Sequence, residues 1–175
     1  ATAYANHGVA MIPFYIYYSM FGYQRIGDLA WAAGDIQARG FLIGATAGRT
    51  TLAGEGLQHQ DGHNLLAFGQ IPNCISYDPT FSYEMAVIVH DGLKRMFEAH
   101  EHVFYYVTAM NENYTHPAMP EGVEANILKG LYCFSKSTSK NKAHTQLMGS
   151  GTILREVIAA AAMLETEWKV SVDVW

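Results

Sequence analysis

The stretch "AMIPFYIYYSMFGYQRIGDLAWAAGDIQARGFLIGATA" (residues 10–47) decides the fold class. Its first part, "AMIPFYIYY" (10–18), is rich in β-branched and aromatic residues and reads as a strand. From Tyr23 to Arg39, Ile26, Leu29, Ala30, Ala33 and Ile36 recur at intervals of three or four, the period of one helix face. "RGFLIGATA" (39–47) is a short apolar run ending in small residues, the pattern of a buried strand. Strand, helix and strand in that order make one right-handed crossover between parallel neighbours.

Further along, the alternation continues. "NCISYDP" (73–79) and "VFYYVTAMN" (103–111) read as strands. Between them Met85, Ile88, Val89, Leu93 and Met96 mark a helix, with Asp78 as its expected cap and Pro79 at its first position. "ENYTHPAMPEGVEAN" (112–126) reads as a surface connection, and "SKSTSKNKAH" (135–144) as a polar hairpin or linker. The pattern then restarts. "AHTQLMGSG" (143–151) is a strand with its turn, and Thr152 is the expected cap of a helix over Ile153–Lys169. That helix should turn Leu154, Val157, Ile158, Ala161, Leu164 and Trp168 inward, and "VSVDVW" (170–175) should begin another strand. The fold class predicted is α/β, with parallel sheets and helices on both faces. A break near 112–140 should separate two α/β units. The absence of an initiator Met and the abrupt end inside a strand suggest a piece of a longer protein.

Half of the 175 residues are hydrophobic, which allows a sizeable core, yet only 15% are charged. Free-standing domains carry about 25% charge, so part of the surface is expected to be covered. The net charge of -5 and the lack of a basic run exclude nucleic acid as a partner. No apolar run approaches the roughly 20 residues that cross a bilayer, and no secretory signal opens the chain. Cys74 and Cys133 stand in apolar contexts, "IPNCISY" and "GLYCFS", and read as buried, reduced thiols of a cytoplasmic protein.

"GEGLQHQDGHN" (54–64) carries the chemistry-bearing side chains. His59 and His63 have a spacing that would put two imidazoles on one helical face. However, Gln60 stands where the metalloprotease pattern needs Glu, Gly62 opposes a helix, and spacing fixes no third ligand. No bound metal is expected at His59, Asp61 and His63. "GSGTIL" (149–154) lacks the third glycine of a dinucleotide turn and reads as a plain αβ turn. "GATAGRTT" (44–51) lacks the P-loop lysine. The long run "GRTTLAGEGLQHQDGHN" (48–64) offers little to a core, and long irregular loops in compact domains are commonly functional. Its imidazoles could donate a hydrogen bond or shuttle a proton near neutral pH; a solvated turn is the plainer alternative.

Residues 11–63, with "IPNCISYDP", "NENYTHPAMPEG" and "LMGSGTILREV", closely resemble the thiamine-diphosphate-dependent pyruvate dehydrogenases of the homodimeric bacterial type. "GLQHQ" (56–60) is similar to the Gly-x-x-His-Gln of the wider transketolase family. The resemblance spans essentially the whole chain and implies a transketolase-like thiamine-diphosphate-binding fold. It implies that residues 1–118 are the later part of an aminopyrimidine-binding domain. Residues 119–175 would be a connection and the start of a carboxy-terminal domain. Tyr18 and Phe21 match residues that line the aminopyrimidine ring, and His59 matches the histidine facing substrate. Arg25 and Asp28 are expected to form structural ion pairs. The diphosphate site, its magnesium ligands and the activating glutamate would lie outside this chain.

The implied activity is oxidative decarboxylation of pyruvate. The acetyl group would pass to the lipoyl arm of a partner dihydrolipoyl acetyltransferase, in a homodimeric component of a multienzyme complex. These 175 residues alone would be inactive. One competing reading is a paralogous dehydrogenase acting on 2-oxobutyrate. Another, from a different class, is a non-catalytic interaction module that inherited the fold, against which the retained "GEGLQHQDGH" argues.

Overall fold

A computed structural model of the chain describes residues 7–45, 59–110 and 112–175. Strand β1 (Phe14–Tyr18) leads through a 3₁₀ turn (Ser19–Phe21) into helix α1 (Gly22–Asp35), and β2 (Phe41–Ala45) follows. After residues 46–58 come α2 (Asn64–Phe68), β3 (Cys74–Tyr77), α3 (Ser82–Leu93) with a π turn (Lys94–Glu98), and β4 (Phe104–Thr108). Helix α4 (Glu124–Leu128) lies in the connection to β5 (Ala143–Leu147), α5 (Gly151–Glu167) and β6 (Val170–Val174).

The strands form two sheets, β1-β2-β4-β3 and β5-β6, and every pairing is parallel. Central β4 is buried along its length, as expected for a strand covered on both faces. On one face Phe41, Ile43, Tyr105 and Val107 pack against Ile88 and Met96, with Ile127 of α4 joining them. On the other, Phe104, Tyr106 and Cys74 pack against Ala30 of α1 and Phe68 of α2. Helices therefore cover both faces of the larger sheet. In the smaller unit, Leu154 and Ala161 of α5 pack on Val172 and Val174.

Several local expectations need correction. Helix α1 ends at Asp35 rather than Arg39, because the chain turns at Gln37, which has φ +57. The predicted inward residues Leu29 and Ile36 are 68% and 59% exposed. Of the expected face Ala30 is buried, at 2% exposure, and Gly34 packs beside it. A Cβ on Gly34 would lie 3.3 Å from Ile71 Cγ2, and Asn73 Nδ2 donates to the Gly34 carbonyl at 3.1 Å. Close approach selects small residues here, which hydrophobicity alone does not reveal.

Asp78 and Pro79 do not cap α3, which begins at Ser82. The Glu84 carboxylate takes that role from inside the helix, accepting the Thr80 and Phe81 N–H groups at 2.5 and 3.0 Å. Likewise Thr152 lies inside α5, which begins at Gly151, and its hydroxyl donates to Met110 Sδ at 2.9 Å. Trp168 is 71% exposed, since it follows the last turn of α5. The connection 112–126 contains the start of α4, which the Pro-rich pattern concealed, and Tyr77 donates to the Leu128 carbonyl at 2.7 Å. The polar run at 135–144 is tied to β6, with the Ser137 N–H on Asp173 Oδ1 at 2.9 Å and Ser139 paired with Ser171 at 2.6 Å. Both cysteines are free thiols, but Cys133 is only half-buried.

Candidate active site

Tyr18 is the last residue of β1, and Phe21 sits immediately before α1. The 3₁₀ turn between them brings their rings to 5.4 Å at 41°. Although 38 positions separate His59 from Phe21 in the sequence, its imidazole stands edge-on to both rings, 5.6 Å from Tyr18 and 5.4 Å from Phe21. T-shaped contacts of this kind fix a ring's orientation as well as its position. The three side chains singled out from the sequence therefore converge. The Arg25 guanidinium lies 4.6 Å over the Phe21 ring, a cation–π contact. No ion pair of Arg25 or Asp28 forms among the described residues. A cavity of about 130 Å³ opens beside this cluster, lined by Tyr15, Tyr17, Tyr18, Phe21, Gly22 and Arg25. The rest of the glycine-rich stretch, residues 46–58, lies outside the described residues.

The cluster sits at the carboxyl end of the larger sheet. Tyr18 closes β1 at that end, and open α/β sheets bind ligands at the carboxyl ends of their strands.

Beneath the rings lies a buried polar network. Asp61 is 6% exposed, and Ser19 and Asn64 are fully buried. One Asp61 oxygen accepts the Ser19 hydroxyl and, at 3.3 Å, the Tyr106 hydroxyl; these hydroxyls are 3.0 Å apart. The other accepts the backbone N–H groups of His63 and Asn64 at 3.3 and 3.2 Å, opening α2. The Asn64 amide donates to the Ser19 carbonyl. Burial and the adjacent carboxylate push the Tyr106 phenol well above its ordinary range, so it remains a donor. Sequence reading missed Ser19, Tyr106 and Asn64. The available signal was "DGHN" before an apolar run: an Asp two and three residues ahead of a helix start is an Asx turn.

His63 Nδ1 approaches Asp61 Oδ1 at 3.9 Å, and the His63 ring is 46% exposed. Among the described residues no group of three His, Cys, Asp or Glu could hold a metal ion. None of the described helices is long and apolar enough to cross a membrane.

A second polar assembly joins the two sheets. Thr108 and Ser150 donate to Asp78 at 2.6 and 2.7 Å, the Gly151 N–H donates to the Asp78 carbonyl at 2.9 Å, and Thr80 returns a bond to the Gly151 carbonyl at 2.8 Å. Arg155 adds an ion pair with Glu112 at 2.8 Å and lies over Tyr114. The turn "GSG" thus serves as a joint, with no bound phosphate needed to explain it.

The family model for the pyruvate dehydrogenase E1 component middle domain matches residues 1–117, which contain the whole four-stranded sheet and the ring cluster. The chain belongs to the pyruvate dehydrogenase E1 component family. It is 64% identical to the E1 component of Cupriavidus necator over all of this chain, yet it spans only 20% of that protein. Its fold is that of the transketolases: the Campylobacter jejuni enzyme superposes with a TM-score of 0.74 at 20% identity, over 98% of this chain and 25% of that one. A split-gene transketolase described as an inactive β4 tetramer superposes with a TM-score of 0.61 at 16% identity, over 99% of this chain and 51% of that one. In this E1 chain, then, Tyr18, Phe21 and His59 occupy the carboxyl edge of a transketolase-type parallel sheet.

Proposed function

We propose that this chain supplies one wall of the active site of an enzyme that oxidatively decarboxylates pyruvate and passes the acetyl group to the lipoyl arm of a dihydrolipoyl acetyltransferase. The convergence of Tyr18, Phe21 and His59 at the sheet's carboxyl edge, in a chain of the E1 family, carries this reading. The residues present suit thiamine diphosphate: two aromatic faces and a neighbouring cavity match the flat aminopyrimidine ring. When bound, the cofactor supplies the nucleophilic carbon and the electron sink for loss of carbon dioxide from a 2-oxo acid. Tyr18 and Phe21 hold its ring and exclude water. His59 presents an N–H or a lone pair toward the reacting carbonyl and holds or moves one proton there.

The remaining assignments belong to the same proposal. Residues 1–118 are the later part of the aminopyrimidine-binding domain, and 119–175 the connection and start of the next. Magnesium and the diphosphate are held by residues outside this chain, in a cytoplasmic homodimer. The isolated chain lacks turnover, a reading supported by its spanning only 20% of the length of the E1 relative from Cupriavidus necator.

The test is the full-length enzyme assayed with pyruvate and with 2-oxobutyrate, following acetylation of a lipoyl domain. One extra methylene shifts discrimination by about 10–200-fold, so kcat/KM for pyruvate should exceed that for 2-oxobutyrate by a ratio in that range. A reversed preference would make the enzyme the 2-oxobutyrate paralogue. A lack of decarboxylation with any 2-oxo acid would leave the non-catalytic module.

A further inference from the structure

Asp61 is conspicuous because a nearly buried carboxylate normally weakens a fold unless its oxygens are fully hydrogen-bonded. Here both are. One accepts the Ser19 and Tyr106 hydroxyls, the other two backbone N–H groups at the start of α2. Four donors on two oxygens leave the group unsuited to binding a metal or taking a proton from substrate. What it does is mechanical. Ser19 follows Tyr18 directly in the chain, and Asp61 follows His59 by two residues. A single carboxylate therefore joins the end of β1, which carries the aromatic wall, to the loop that carries the imidazole. Tyr106 fixes both to β4, where its ring stacks on Phe68 at 4.2 Å. Asn64 repeats the tie by bonding the Ser19 carbonyl. Gly44 makes the space: a Cβ there would stand 2.6 Å from the Tyr106 hydroxyl and 2.8 Å from the Ser19 hydroxyl.

We infer that Asp61 is a positioning residue for His59, its carboxylate locking the histidine loop to the ends of β1 and β4 so that the imidazole is held against Tyr18 and Phe21. The inference rests on the catalytic reading of His59 above. Misplacing a reacting group by about 1 Å can lower rates roughly 10²-fold, so the network acts on turnover as well as on folding. The isosteric Asp61→Asn keeps one oxygen for the two backbone N–H groups and turns its amide toward two hydroxyls, which can accept. It should keep most of the geometry, whereas Asp61→Ala should not.

The experiment is a double-mutant cycle in the full-length enzyme with thiamine diphosphate and magnesium added. Asp61→Ala should lower kcat on pyruvate by about 10–100-fold in the parent background, and by less than about threefold in the His59→Ala background, because there is then no imidazole to misplace. Asp61→Asn should stay within about fivefold of the parent. If Asp61→Ala does not fold, Tyr106→Phe carries the same cycle: it removes one donor and keeps the ring, and its loss should also vanish in the His59→Ala background. Equal losses in both backgrounds, with a lowered melting temperature, would show a purely structural role and overturn the inference alone. A His59→Ala enzyme with normal turnover would overturn the catalytic reading, and the positioning role with it.

Discussion

Gly151 shows how much one residue of the joint between the sheets controls. Its φ is +51, a region L side chains rarely adopt, and a Cβ would stand 2.5 Å from Asp78 Oδ1. Gly122 and Gly130 also have positive φ, but their missing Cβ atoms face open space. Gly151→Ala should therefore cost about 1–3 kcal/mol through strain and displacement of Asp78, lowering the melting temperature by about 2–4 °C per kcal/mol. Calorimetry should find Gly130→Ala milder. The sequence showed a turn at "GSG" but not its partner, since 72 positions separate Ser150 from Asp78. For the same reason Asp78 looked like a helix cap. "DPT" is a sound local signal, and only the tertiary contacts with Thr108 and Ser150 override it. Tyr18, Phe21 and His59 were legible through resemblance, while their supports Ser19 and Tyr106 were not, because an isolated Ser or Tyr carries no pattern.

At the scale of elements, the strands and crossovers were readable because central β2 and β4 need continuous apolar runs to be covered on both faces. The packed face of α1 was readable only in part: Ala30 lies on it as expected, but Gly34 joins it while Leu29 and Ile36 point outward. That burial has a consequence for pH. Burial pushes the Cys74 thiol from 9.0 up to about 12, and the Tyr105 phenol from 10.0 to about 12. Between these limits the unfolded chain releases protons that the folded chain keeps. The stabilisation is thus fully present below about pH 9 and fades as pH rises toward 12. Melting temperature should fall between about pH 9 and pH 11, and Cys74→Ala should make that fall shallower. An unchanged slope would show that Cys74 ionises as readily in the fold as out of it.

At the scale of the whole molecule, the described residues leave Phe14, Tyr15 and Ile16 of edge strand β1 about half exposed or more, as well as Leu29 of α1. The low charge fraction led to the expectation that part of the surface is covered, and these are the apolar residues such a cover would meet; the chain spans 20% of the length of the Cupriavidus necator relative. The central claim concerns one side chain in this assembly. His59 is held edge-on to two aromatic rings at the sheet's carboxyl edge and contributes little to either core cluster of that sheet. His63, half exposed, touches the network mainly through its backbone. The most direct measurement is steady-state turnover of pyruvate by the full-length enzyme carrying His59→Ala, with His63→Ala as comparison and a melting curve on each. The expected result is a loss of about 10²–10⁴-fold for His59→Ala, typical of a missing acid–base or electrostatic partner, with a nearly unchanged melting temperature and a far smaller loss for His63→Ala. Near-normal turnover of His59→Ala, or a loss explained by its unfolding, would contradict the account.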